Sequence, residues 1–136
     1  MSQVLKIALK AVDDKKGIDV LVLDISAVAT FADYFLVCSG DSARQIQAIV
    51  DEVEKRMAAS GHRPSHVEGY ANSEWVLMDY GDLIVHVFSN KARAYYELER
   101  LWRDAKILDA AALLAQVGPE PASVRRPRKR RPAGGG

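Results

Sequence analysis

The residues best equipped for chemistry are few. They are three histidines (His62, His66 and His86), one cysteine (Cys38), and the short run Ser39-Gly40-Asp41-Ser42. His62 and His66 share a polar segment with no cysteine nearby, so the ligand spacing of a zinc site is missing. His86 stands inside an apolar run and is expected opposite Trp75 in a hairpin. That setting suits a packed, hydrogen-bonded core histidine better than a general base. Cys38 ends the run Tyr34-Phe-Leu-Val-Cys38 with no cation beside it in sequence, so its thiol reads as a small buried hydrophobe. A single cysteine also excludes an intramolecular disulfide.

Ser39-Gly40-Asp41-Ser42 falls between an expected strand and an expected helix, where backbone N–H groups can bind an anion. No Gly-x-x-x-x-Gly-Lys-Ser/Thr is present, and Ser42 as a helix cap accounts for the pattern. The Ser39-Gly40 pair is similar to one in nucleotidyltransferases, but the Asp-x-Asp/Glu metal pair that follows it there is missing here. Asp51 and Glu52 are adjacent, so on a helix they diverge by about 100° and cannot clamp one magnesium ion. Asp79 and Asp82 are expected to face each other across a turn, two like charges with no third ligand, which suits a hairpin end. No catalytic residue, metal site or cofactor is assigned. What remains is a set of polar and aromatic residues near loop and turn ends: Asp33, Tyr34, Glu68, Gly69, Tyr70, Trp75, Asp79 and Tyr80. Such tyrosines and tryptophans are either plain core or protein–protein contact residues, and spacing does not choose between the two.

The elements that must position these residues follow from periodicity. Ser2 caps a first helix with Val4, Leu5, Ala8, Leu9 and Val12 on one side, closed by Gly17. Residues 18–25 and 34–39 are β-branched, short and bounded by turn formers, so they read as strands. Asp41-Ser42 opens a second helix whose apolar stripe is Ile46, Ile49, Val50, Val53 and Met57, ended by Gly61. Residues 74–79 and 82–89 form a hairpin around the two-residue turn Tyr80-Gly81, pairing Met78 with Leu83 and Trp75 with His86. Both hairpin faces are apolar, so both are covered at least in part. A third helix spans about 92–105, and residues 107–117 form a short extra helix. The order α-β-β-α-β-β-α is a single α/β domain, with the second helix crossing over between strands two and three.

The chain has 136 residues, 49% hydrophobic and 27% charged, enough for one domain with a real core. No stretch approaches the ~20 apolar residues of a membrane span. The first residues lack a signal-peptide pattern, so the expected location is the cytoplasm. The net charge of +1 hides a segregation. Residues 120–136 hold six basic side chains against Glu120, which leaves 13 basic and 17 acidic residues in 1–119. A mildly acidic body suits a basic protein partner. The segment 119–136 has no apolar face and reads as a disordered basic tail.

Several motifs in order carry a resemblance. Ala32-Asp-Tyr-Phe35, Ser39-Gly-Asp-Ser-Ala-Arg-Gln-Ile-Gln-Ala48, Glu68-Gly69, Trp75-Val-Leu-Met-Asp-Tyr-Gly-Asp82, His86-Val-Phe88 and Tyr95-Tyr-Glu-Leu-Glu-Arg-Leu-Trp102 resemble the ribosomal silencing factor family, also called Iojap-related. The match covers about residues 4–104, within a domain of 1–118 that excludes the tail. The resemblance implies a nucleotidyltransferase-like mixed sheet with packed helices and without the catalytic carboxylates. It implies binding to the large ribosomal subunit through ribosomal protein L-fourteen, repression of translation by blocking subunit joining, and a homodimer. Tyr70, Trp75, Asp79, Tyr80 and Gly81 are the expected docking residues, with Tyr80 exposed at the hairpin tip unless something covers it. The basic tail would add a weak hold on ribosomal RNA. The other readings are a small nucleotidyltransferase-like enzyme using the Ser39-Gly40 turn and an RNA-binding module acting through the tail.

Overall fold

A computed structural model describes residues 3–96 and 103–117, with only the backbone described at 94–96. Helix α1 (Gln3–Asp14) buries Leu5, Ala8, Leu9, Ala11 and Val12, the stripe its periodicity predicts. It closes in a Schellman motif: Gly17 N–H donates to Val12 O at 2.9 Å and Lys16 N–H to Asp13 O at 3.0 Å. The residue with positive φ there is Lys16, at 64°, not Gly17. Gly17 is needed for a different reason, since a Cβ on it would lie 2.5 Å from Val12 Cγ1.

Strand β1 (Ile18–Asp24) pairs antiparallel with β2 (Tyr34–Gly40), with one bulge between Ile18 and Leu21 and Asp19 at a φ of 50° inside it. Helix α2 (Ala43–Ala59) is capped by Ser42, whose side chain accepts from Gln45 N–H. Ile46, Ile49, Val50, Val53 and Met57 are its buried residues, as expected, and Gly61 with a φ of 86° ends it. The hairpin strands are β4 (Trp75–Asp79) and β5 (Leu83–Ser89).

Several expectations change. The loop 62–73 contains a further strand, β3 (His66–Glu68), antiparallel to β4. The third helix, α3 (Asn90–Tyr96), starts two residues early because Ser89 Oγ accepts from Ala92 N–H at 3.0 Å. It does not reach 105. Residues 103–105 are a turn, and Lys106–Leu108 form strand β6 along β1. Residues 97–102 lie outside the described part. The expected extra helix is α4 (Ala110–Val117), capped by Asp109 Oδ1 accepting from Ala112 N–H.

The sheet order is β3-β4-β5-β2-β1-β6, antiparallel throughout except for the central β2–β5 pair. The crossover expected of α2 is therefore corrected. The parallel neighbour of β2 is β5, and β4 runs antiparallel on its far side. The result is a mixed six-stranded α/β sheet. One face carries Val22, Leu36, Cys38, Val76, Met78, Leu83, Val85 and Val87 against α1, α2 and Leu113 of α4. The other carries Leu23, Phe35, Val37, Ile84 and Phe88, with Ile25, Ala32 and Ala92 packed on it. The central strands β2 and β5 are thus buried on both sides, and each fully buried Leu or Phe there contributes about 1.5–3 kcal/mol.

Candidate functional site

The hairpin register is shifted by two from the expected one. Trp75 pairs with Phe88, Val76 with Val87, Leu77 with His86 and Asp79 with Ile84. Tyr80 N–H donates to Leu83 O at 2.9 Å, so the two central residues of the turn are Gly81 and Asp82. Gly81 has a φ of 86°, the positive value that the first central position of a II′ hairpin turn demands. Asp79 Oδ1 accepts Gly81 N–H at 2.8 Å and steadies the bend. Asp79 and Asp82 are consequently not cross-strand partners, and Asp79 has His66 opposite it in β3.

Tyr80 is not the exposed tip that its position suggested. Its ring packs on the α2 side of the core, half-buried. Its hydroxyl is enclosed without a hydrogen-bond partner among the described residues. Burial, helped by the nearby Glu54 charge, pushes its phenol up to about 12. Tyr70 is the tyrosine that faces outward, at 38% exposure. It sits on the loop 69–74 between β3 and β4, and its hydroxyl donates to Asp51 of α2 at 3.0 Å. That hydrogen bond holds its phenol above the usual range.

Gly69 and Ser73 bend this loop. Gly69 has a φ of 83°, and a Cβ there would lie 2.1 Å from Trp75 O, so no other residue fits without moving backbone. Ser73 has a φ of 54° and is buried. Its N–H donates to Gly69 O, its hydroxyl donates to Tyr70 O, and it receives Gln47 Nε2 from α2 at 3.1 Å. Ser89 N–H and hydroxyl both bond Glu74 where the loop enters β4.

Trp75 lies on the opposite face of the sheet, in an aromatic cluster with His86, Phe88 and Phe35. Its indole N–H donates to His86 Nδ1 at 3.1 Å, so the proton of the neutral imidazole sits on Nε2. His86 is buried, and burial lowers its pKa to about 4. The histidine is a packed, hydrogen-bonded core residue in contact with Trp75, as its place in the sequence suggested, although the two are diagonal rather than paired.

The groups that could have done covalent chemistry are occupied or inert. Cys38 is fully buried and its thiol is pushed up to about 12 by that burial. Ser39 is buried and accepts from Arg93 Nη1 at 3.0 Å. Gln45 Oε1 takes Asp41 N–H, and Asn90 Nδ2 donates to Asp41 Oδ1. Among the described residues no group of three or more His, Cys, Asp or Glu side chains could hold a metal ion. No described helix is long and apolar enough to cross a membrane.

The five residues expected to form one docking patch thus fall on two sides. Tyr70, Tyr80 and Gly81 lie at the α2 side and tip of the hairpin, while Trp75 and Asp79 share the other face. The sequence reading missed Gln47, and with it the part Asp51 plays beside Tyr70. Their partners are 26 and 19 residues away, beyond any local pattern.

Comparison with known proteins agrees with this architecture. Residues 1–133 match the family described as ribosomal silencing factor during starvation. The chain is 45% identical over 106 residues to the ribosomal silencing factor of Bacillus subtilis, covering 78% of this chain and 90% of that one. A crystal structure from Chromobacterium violaceum superposes with a TM-score of 0.73 at 36% identity, covering 75% of this chain and 87% of the other. A more distant relative, 28% identical over 100 residues, is the mouse mitochondrial assembly of ribosomal large subunit protein 1, with 71% of this chain and 44% of the mouse protein covered. On these matches the chain belongs to the ribosomal silencing factor family, a regulatory family and not an enzyme family.

Proposed function

We propose that the protein docks on the large ribosomal subunit, through ribosomal protein L-fourteen, and keeps the small subunit from joining by occupying the contact surface. The observation that carries this reading is the Tyr70 loop. An outward-facing tyrosine is held in place beside Asp51, and Glu54 also acts on its phenol. A pinned, outward-facing amphipathic ring suits a protein partner, since tyrosine is among the residues that dominate such contacts, and the mildly acidic body favours a basic one. The name of the mouse relative, which refers to large-subunit assembly, supports the choice of subunit.

Steric exclusion needs no chemistry. A domain of this size has a radius of gyration near ~13 Å, so it stands on the order of 30 Å high on a surface that must make close contact. Specific docking takes only about 800 Å² of its surface. The test is to mix purified large and small subunits with increasing protein and follow association by light scattering and sedimentation. The expected result is cosedimentation with free large subunits and a falling yield of joined ribosomes. Binding to small subunits alone, or saturation of large subunits with joining unchanged, would overturn the mechanism.

A further inference from the structure

The loop 69–74 would not keep its shape unaided. Two of its residues have positive φ, Gly69 and Ser73, and Ser73 is not a glycine. The Ser73 N–H···Gly69 O bond closes this bend within the loop, and α2 braces it from outside. Gln47 Nε2 donates to Ser73 Oγ at 3.1 Å and reaches Tyr70 O at 3.4 Å, while Ser73 Oγ donates to Tyr70 O at 3.0 Å. Asp51 accepts the Tyr70 hydroxyl at 3.0 and 3.2 Å to its two oxygens. Gln47 and Asp51 are four residues apart and so lie on one face of the helix. One holds the backbone of the loop and the other holds the far end of its tyrosine.

We propose that Gln47 and Asp51 form a latch that fixes the Tyr70 ring in its docking orientation, so that both set the affinity for the large subunit without touching it. This rests on the reading of Tyr70 as a docking residue. The physical basis is preorganisation. A tyrosine on an unpinned loop must be ordered when it docks, and that ordering subtracts from affinity. The latch makes the ordering part of folding. A competing account has Asp51 pairing directly with a cation on the partner. The two differ chemically, because an amide keeps the acceptor oxygen that holds the phenol but loses the charge.

The experiment measures large-subunit affinity of the full chain, its melting temperature, and amide hydrogen exchange at 69–74. Tyr70→Ala should lose most of the affinity. Asp51→Ala and Tyr70→Phe should each weaken binding between about twofold and tenfold. The double variant Tyr70→Phe/Asp51→Ala should be no weaker than the poorer single one, because both remove the same bond. Asp51→Asn should recover most of the loss of Asp51→Ala. Gln47→Ala should speed exchange at 70–73 and weaken binding. Should Gln47→Ala fail to fold, the exposed Tyr70–Asp51 cycle still decides.

Asp51→Asn binding as poorly as Asp51→Ala would show a direct charge contact and overturn the latch. Undiminished binding by Asp51→Ala, with Tyr70→Ala still defective, would overturn the latch and leave the docking reading standing. Full affinity in Tyr70→Ala would remove the docking reading, and the latch with it.

Discussion

His86 shows how a titratable side chain becomes structural. It sits in mid-strand at 3% exposure, with its ring 4.5 Å from that of Phe35 and its Nδ1 taken by Trp75. Its Nε2 has no hydrogen-bond partner among the described residues, so the neutral ring is tolerated and the charged one is not. Burial lowers its pKa to about 4, below the ~6.5 of a histidine in an unfolded chain. Between those values the unfolded state binds a proton that the folded state refuses. The contribution of His86 is therefore fully present above about pH 6.5 and is lost as pH falls toward 4, by roughly 3 kcal/mol in all. Urea denaturation across that window should show a falling midpoint, and the same series on His86→Gln should be flatter. Equal slopes for the two proteins would mean that the imidazole is not what makes the fold acid-sensitive.

Glycines at the turns separate two kinds of element constraint. Gly81 has positive φ and nothing within 4 Å of where a Cβ would be, so only backbone conformation resists substitution. Gly81→Ala should cost about 1–3 kcal/mol of stability, because the first central position of this turn favours glycine. Gly69 combines positive φ with a backbone oxygen 2.1 Å from the Cβ position. Gly69→Ala should therefore be the more damaging of the two by thermal melting; the reverse order would contradict this account. The same turn shows what was legible beforehand. Alternation along 75–79 and 83–89 assigned every side chain to its correct face. The register differs by two residues from the one the sequence predicts, because the positive φ of Gly81 puts it at the first central position of the turn and not the second. The α2 stripe was fully legible because five buried residues repeat with one period. Strands β3 and β6, three residues each, carry too few side chains to show a period and exist because β4 and β1 offer edges to pair with. The Gln47 and Asp51 contacts were illegible for the related reason that they join segments distant in sequence.

At the scale of the whole molecule, charge is segregated along the chain, and this was visible in the sequence with no structure at all. Six basic residues fall at 125, 126 and 128–131, against a body of 13 basic and 17 acidic residues. The tail lies outside the described residues, so its part in docking rests on charge alone. An acidic body is repelled by ribosomal RNA and attracted by basic ribosomal protein, while a run of arginines is attracted by phosphate. We propose a division of labour in which the body would supply the address and the tail would add a hold that does not depend on RNA sequence. If about four of the tail charges meet phosphates, they contribute a slope near −3 to the logarithm of the affinity against the logarithm of salt concentration. Truncation after Gly118 should flatten the salt dependence of large-subunit binding by about that amount while leaving specific docking at low salt. Superimposable slopes for the full and truncated chains would mean that the tail makes no phosphate contacts. A truncated chain that no longer binds even at low salt would move the address from the body to the tail, and the Tyr70 loop would lose its assigned role.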